Sequence, residues 1–227
     1  MLTILATATD ERLTTLENAK EALALTDSRD DEYLKRLILR ASNRVTAYLN
    51  RPLALQTYQA LLPAFGGVNL QLPRTPVRAV LNVFDGSDTG ASAQLTATGY
   101  RLDPDRGWLN RDEGWTWTRQ MERGALTEYA VPNGEYLNWL VKFSAGYVLP
   151  GGTSSTNHGV TSTGSTLPGD LEDACLELVR SAYLGRTRED AVQSESVGTV
   201  SVTYRAGSSR ALPESVAALL EPYRSVI

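Results

Sequence analysis

The most strongly patterned stretch of the chain spans residues 27–52. Apolar side chains fall at Leu34, Leu37, Ile38, Ala41, Val45, Tyr48 and Leu49. Steps of three and four residues place them on one face, which predicts a helix that buries this stripe. Asp30, Asp31 and Glu32 open it and Lys35, Arg36, Arg40 and Arg44 follow; acid before base complements the helix dipole. Pro52 forbids continuation and biases Arg51 away from helical angles. Upstream, residues 16–24 predict a shorter helix with Leu16, Ala19, Ala22 and Leu23 inward. Thr14 and Glu17 have the spacing of a capping box, in which a hydroxyl and a carboxylate each satisfy a free backbone N–H. The turn Thr26-Asp27-Ser28 is short enough to make the two helices a hairpin.

From residue 53 to 149 the period shifts to alternation, broken by glycine and proline. Leu70 and Leu72 alternate before Pro73, and Val77, Val80, Leu81 and Val83 precede the turn Asp85-Gly86-Ser87. Tyr100-Arg101-Leu102 leads into Asp103-Pro104-Asp105-Arg106-Gly107, a strong turn signal. Residues 136–147 predict a later strand with Leu137, Trp139, Val141 and Phe143 on one face. Residues 150–169 are nearly all Gly, Ser, Thr and Asn, the composition of a flexible linker. Helical spacing returns at Leu171, Ala174, Cys175, Leu178 and Ala182, with Asp170 as the expected cap and Gly185 as the stop. A polar arm over 194–210 follows, in which Val200, Val202 and Tyr204 alternate like a strand. Pro213 opens a last helix over 214–220, Pro222 closes it, and residues 223–227 form a tail. The expected fold class is therefore α+β: a helical bundle of about four helices, an inserted small antiparallel β unit, and extended flexible arms. Its segments are 1–52 (N-terminal helical half), 53–149 (β-rich unit), 150–169 (linker) and 170–227 (C-terminal helical half with arm and tail).

Composition narrows the possible chemistry. The chain has 227 residues, 42% of them hydrophobic, which suffices for a real core in one ordinary domain or one domain carrying an insertion. A net charge of −4 lacks the basic excess of a dedicated nucleic-acid binder. The single cysteine, Cys175, can form no intrachain disulfide. The opening Met1-Leu2-Thr3-Ile4-Leu5 lacks a basic n-region, and no apolar run approaches the ~20 residues that span a bilayer, so a soluble protein with no membrane partner is expected. Lys20, Lys35 and Lys142 are the only lysines, and arginine supplies the rest of the positive charge.

The candidate chemistry is thin. His158, the only histidine, lies in the Gly/Ser/Thr linker, where nothing preorganises a general base. Cys175 falls on the apolar face of its helix and reads as a small hydrophobe. One Cys and one His exclude the usual zinc sets. The loop from Asp103 opens like a calcium site, but Gly114 stands where the bidentate Glu belongs. Neither a phosphate loop nor a dinucleotide fingerprint occurs. The pairs Asp112-Glu113 and Glu172-Asp173 read as a solvated turn and a helix start. Neither enzyme nor cofactor is expected. Three features suit interfaces instead. Arg36, Arg40 and Arg44 form an i, i+4 line, either a solvated face (with Glu32 pairing Arg36) or a surface toward a subunit or DNA. Trp108, Trp115 and Trp117 either close a small β core or, if exposed, mark an interface hot spot. The arm at Val200, Val202 and Tyr204 is either a surface loop or a strand that joins a neighbour's sheet.

The order of these features resembles a known family. Thr14 to Lys20 leads to a second helix ending in Ala47-Tyr48-Leu49-Asn50-Arg51-Pro52. The β middle ends in Phe143-Ser144-Ala145-Gly146-Tyr147, followed by Leu167-Pro168-Gly169-Asp170-Leu171-Glu172-Asp173-Ala174. Then come the arm Ser196-Val197-Gly198-Thr199-Val200-Ser201-Val202-Thr203-Tyr204, Leu212-Pro213, and Leu219-Leu220 before Pro222-Tyr223-Arg224. This resembles the head–tail connector, or adaptor, family of long-tailed bacteriophages and gene-transfer particles; the long β middle and the linker depart from its compact members. The resemblance implies a virion structural protein, assembled in the host cytoplasm and placed in the neck between capsid and tail. It implies a self-associated ring, usually dodecameric, below the portal protein, extending the DNA channel and docking a neck or tail-completion protein. DNA would pass through without specific binding. Leu219, Leu220, Tyr223 and Arg224 would meet the portal, and Val200, Val202 and Tyr204 a neighbouring subunit or the portal. The isolated chain is expected to be mostly monomeric and to assemble on the portal. A DNA-binding or packaging accessory protein, and a neighbouring neck or tail-completion protein, are the alternative readings.

Overall fold

The computed structural model describes residues 1–63, 67–85, 94–115, 138–151, 160, 164–187, 194–197, 200–203 and 212–224. The chain divides into two units. The first comprises residues 1–9, 54–148 and 152–165, and the second 10–53, 149–151 and 166–227.

The first unit is built from β1 (Leu2–Ala6), β2 (Gln56–Pro63), β3 (Asn69–Gln71), β4 (Val77–Phe84), β5 (Arg101–Asp103), β6 (Trp108–Asn110) and β7 (Asn138–Ala145). An antiparallel four-stranded sheet runs in the order β1-β2-β7-β4, and a three-stranded antiparallel sheet in the order β3-β6-β5. Alternation decides the faces. Tyr58, Ala60, Val83, Val141 and Phe143 from the first sheet share one core with Leu70 and Leu109 from the second. Trp115 and Trp139 meet edge to face with centroids 5.0 Å apart, a favourable aromatic geometry. The β5–β6 turn needs its glycine: Gly107 has φ +69°, and a Cβ there would fall 2.7 Å from Thr75 Cγ2. Of the face expected for β7, Trp139, Val141 and Phe143 are buried, and Leu137 lies outside the described residues. Residues 2–6, which the sequence reading assigned to the helical half, pair instead with β2, Leu2 opposite Ala60. The backbone donors and acceptors of β2 are what this short run satisfies, and no helical period competes within it.

The second unit holds α1 (Leu16–Ala22), α2 (Asp31–Leu49), α3 (Gly169–Leu184), α4 (Glu214–Leu220) and a hairpin of β8 (Ser194–Val197) with β9 (Val200–Thr203). α2 packs on α3, α3 on α4, and α1 against both α2 and α3. The buried face of α2 is Leu34, Leu37, Ile38, Ala41, Ser42, Val45 and Leu49, while Tyr48 stays half-exposed. α2 stops before Pro52 acts, because Asn50 turns left-handed at φ 53°. α1 is capped by Thr15, whose Oγ1 accepts from the Asn18 N–H at 3.1 Å, so the expected Thr14–Glu17 box does not form. Thr14 is buried and donates to Glu172 Oε1 at 2.8 Å instead. α3 begins one residue before Asp170, which makes no capping bond, and Tyr183 rather than Ala182 completes its buried face. Fully buried Ser42 joins three segments: its Oγ accepts from the Leu13 N–H at 3.0 Å, donates to the Ile38 carbonyl at 2.8 Å, and lies 3.6 Å from Cys175 Sγ. The arm, expected as either a surface loop or a strand joining a neighbour's sheet, pairs with itself as a hairpin, with Val200 opposite Val197 and Val202 opposite Glu195. Residues 152–159 and 161–163 of the expected linker lie outside the described residues. Mixed α+β architecture is thus observed, with four helices among the described residues.

Candidate functional site

The surfaces of the second unit are set by what its helices bury. Leu220 and Val216 of α4 are fully buried, so Leu220, expected at a partner interface, is spent on the chain's own core. Leu219 and Tyr223 are half-buried and Arg224 is exposed. This C-terminal turn is tied down at three points. Tyr48 donates to Glu221 Oε2 at 3.0 Å, Tyr223 donates to Asp170 Oδ2 at 3.0 Å, and the Arg224 guanidinium stands 5.5 Å over the Tyr48 ring. The Glu221 carboxylate holds the Tyr48 hydroxyl proton and raises its pKa. Up to Arg224, the expected tail is therefore a docked turn.

The arginine line of α2 lies away from the helix's buried stripe, and its expected pairing with Glu32 does not form. Glu32 takes Lys35 Nζ at 2.7 Å, leaving Arg36 to donate to the Glu32 backbone carbonyl at 3.3 Å and to lie 6.0 Å over Tyr33. Lys35 is one residue nearer and more compact than the guanidinium, so it wins the carboxylate. Arg36 and Arg40 are exposed and Arg44 half-buried, with Leu39 between them 46% exposed. The outward face of α3 carries Asp170, Asp173, Glu177 and Arg180, all exposed.

The tryptophans separate. Trp115 is 1% exposed, and its Nε1–H donates to the carbonyls of Leu109 and Val68 at 2.9 and 3.1 Å, so it closes the β core. Trp108 is half-buried with Arg106 at 5.4 Å over its ring. Trp117, Tyr204 and His158 lie outside the described residues. Val200 and Val202 are on β9.

Two polar clusters escaped the sequence reading. Glu172, read as a dipole partner, accepts at Oε1 from Thr14 and from Asn18 Nδ2, the latter at 2.7 Å. Asp30 accepts at Oδ2 from the Tyr183 hydroxyl at 2.6 Å and from Arg186 Nη1 at 2.7 Å, with the guanidinium 4.1 Å over the Tyr183 ring. The hydroxyl and the guanidinium hold the Asp30 carboxyl below its usual range and push the Tyr183 hydroxyl up. The i, i+3 spacing of Tyr183 and Arg186 was the available signal, but its target lay more than a hundred residues away. Cys175 is buried at 0% exposure, and burial pushes its thiol up to about 11. Among the described residues no group of three His, Cys, Asp or Glu could hold a metal, and no helix is long and apolar enough to cross a membrane. What the geometry offers is faces for association: a docked C-terminal turn, a basic helix face and an acidic one.

Comparison with known proteins finds a family match and shared folds. Residues 13–84 match the family described as phage gp6-like head-tail connector protein. That range takes in α1, α2 and β2 to β4. A search of curated proteins finds no match. Among solved structures, the chain is similar to one from the neck of an empty gene transfer agent particle computed with C6 symmetry, at TM-score 0.55 and 21% identity, over 100% of this chain and 96% of that one. It is similar to a chain in the virion of a native gene transfer agent particle at TM-score 0.53, with the same identity of 21% and the same coverage of 100% and 96%. A third likeness, to the neck of the native particle computed with C12 symmetry, has TM-score 0.50, again at 21% identity over 100% and 96% of the two chains. The chain thus carries a match to a head–tail connector family through residues 13–84 and shares a fold along its full length with these gene transfer agent chains.

Proposed function

We propose that this chain is a ring-forming connector of the virion neck. It stands below the portal protein, extends the DNA channel, and presents a docking surface to the next neck or tail-completion protein. The observation that carries this reading is the fold shared over the whole chain with proteins of gene transfer agent necks, particles computed with C6 and C12 symmetry. A net charge of −4 suits a conduit, since phosphate repulsion disfavours gripping the DNA that must pass. Leu219, Tyr223 and Arg224 form the portal contact, and the hairpin bearing Val200 and Val202, with Tyr204 beyond it, reaches a neighbouring subunit or the portal. The isolated chain is mostly monomeric and assembles on the portal.

The test is cryo-EM of the protein mixed with the portal encoded by the same genome. A ring added to the portal's tail-facing end is the expected result. Because Leu220 is core, deletion of the C-terminus would unfold α4, so the contact is tested with Leu219→Asp and Arg224→Glu. Both should keep the helical circular dichroism and lose ring addition. Association with tail-completion proteins but not with the portal would move the chain lower in the neck. Salt-sensitive DNA binding with neither partner would overturn the connector role in favour of a packaging accessory.

A further inference from the structure

Two helix faces of the second unit carry complementary charge in the same spatial order. α2 buries Leu34, Ile38 and Val45 and turns outward Arg36, Arg40 and Glu32, the last already holding Lys35 on one carboxylate oxygen. α3 buries Leu171, Cys175 and Leu178 and turns Asp173, Glu177 and Arg180 outward. The two helices pack on each other through their apolar faces, so neither charged face can answer the other within one chain. Among the described residues, no carboxylate lies within ion-pair distance of Arg36 or Arg40. Read along α2 the order is acid, base, base; read backward along α3 it is base, acid, acid. At 1.5 Å per residue, Glu32 to Arg40 spans ~12 Å and Arg180 to Asp173 ~10.5 Å. Laid antiparallel, the helices bring Glu32 opposite Arg180, Arg36 opposite Glu177, and Arg40 opposite Asp173, with exposed Leu39 among them to bury.

We infer that α2 of one copy docks antiparallel on α3 of the next copy through these three pairs, making this the subunit interface of the ring. The inference rests on the ring reading above. Two different surfaces that fit each other make a head-to-tail contact, the kind that closes into rings. Exposed ion pairs are individually weak. Their work here is to fix register and reject wrong partners, since a one-turn slip of the antiparallel pair sets Glu32 against Glu177 or Arg36 against Arg180. A second copy is favoured over DNA as the occupant because it uses both faces, whereas DNA would leave the acidic face of α3 without a role.

The experiment is charge exchange in the full chain, read by cryo-EM and mass photometry of rings on the portal from the same genome. Arg36→Glu with Arg40→Glu makes both faces acidic; Asp173→Arg with Glu177→Arg makes both basic. Each double variant, folded by circular dichroism, should need at least tenfold more protein than wild type to form a ring. An equal mixture should recover, because the two alternate around an even-membered ring. One chain carrying all four substitutions should recover as well. Raising salt should weaken wild-type assembly. Ring formation by either double variant alone at wild-type concentration, or no recovery on mixing, overturns the interface while leaving the ring intact. No ring from the wild-type chain overturns the ring reading itself and the interface with it.

Discussion

Ser42→Ala should destabilise the helical unit although alanine is the better helix former. Ser42 Oγ is the acceptor for the Leu13 N–H at 3.0 Å, and both residues are fully buried. Removing it strands that donor away from water, which costs about 1–3 kcal/mol. The Ile38 carbonyl, which receives the Ser42 hydroxyl at 2.8 Å, keeps its helical N–H and loses little. Against the loss stands a propensity gain of about 0.5 kcal/mol for alanine within α2. The net expectation is a loss of about 0.5–2.5 kcal/mol. Urea unfolding followed at 222 nm reads this unit selectively, because the α-helices of the described residues all lie in it. An unchanged m-value with a lower midpoint would match the reasoning. A variant as stable as wild type, or more so, would refute it and mean that the Leu13 N–H has another acceptor. Ser42 points away from Arg36 and Arg40, so it bears on assembly only by fixing how α2 is turned against α3.

Trp115→Ala removes a 1%-exposed ring and two bonds from its Nε1–H, and should cost about 3–5 kcal/mol, with a drop in the blue-shifted emission that buried Trp139 continues to supply. Glu172→Ala strands the buried Thr14 hydroxyl and should cost about 1–3 kcal/mol in the helical signal, whereas Glu172→Gln keeps an acceptor and should cost less. Cys175, held at about 11 in the fold against 9.0 for the free thiol, should resist iodoacetamide at pH 8 until the chain unfolds. Because this pKa is raised by folding, its contribution is fully present below pH 9.0 and is lost as pH rises toward about 11, so the stability gap between wild type and Cys175→Ala should shift against wild type across that window. Asp30 has the opposite sign: its lowered pKa stabilises above the ordinary carboxylate range near about 4, and that contribution disappears as pH falls through the lower folded value, so Asp30→Asn should flatten the acid limb of a pH–stability curve.

What could be read from sequence was whatever one element encodes alone. The stripe from Leu34 to Leu49 gave α2 its buried face, and Trp139, Val141 and Phe143 gave β7 its core side, because period translates directly into burial. Asn50 supplied the stop that Pro52 was credited with, since a left-handed residue closes a helix before the proline ring is reached. The failures share a different cause. Thr14 and Glu17 have the right spacing for a capping box, yet Glu172 lies in space beside Thr14 and takes its hydroxyl. Glu32 and Arg36 have the right spacing for a pair, yet Lys35 is nearer. Ser42, which no apolar period picks out, is a junction of three segments. A partner over 100 residues away in sequence leaves no local trace, so such residues are read first by their nearest plausible neighbour.

The same limit explains why the arginine line could be noticed but not interpreted. Periodicity says that α2 hides one face, and nothing about the other. Only once α3 is seen to use its apolar side on α2 can its outward order of Asp173, Glu177 and Arg180 be set against Arg40, Arg36 and Glu32 as the proposed subunit contact. A subunit in a ring must meet two neighbours with two different surfaces, and an overall charge near balance, −4 here, follows naturally when those surfaces cancel. Pairs this exposed cannot hold a ring of free subunits at low concentration. They can select the correct neighbour once a portal has gathered the copies, because the local concentration then replaces affinity. On the proposed reading, weak and register-specific contacts suit a subunit that stays apart in solution and closes into a ring only on the portal.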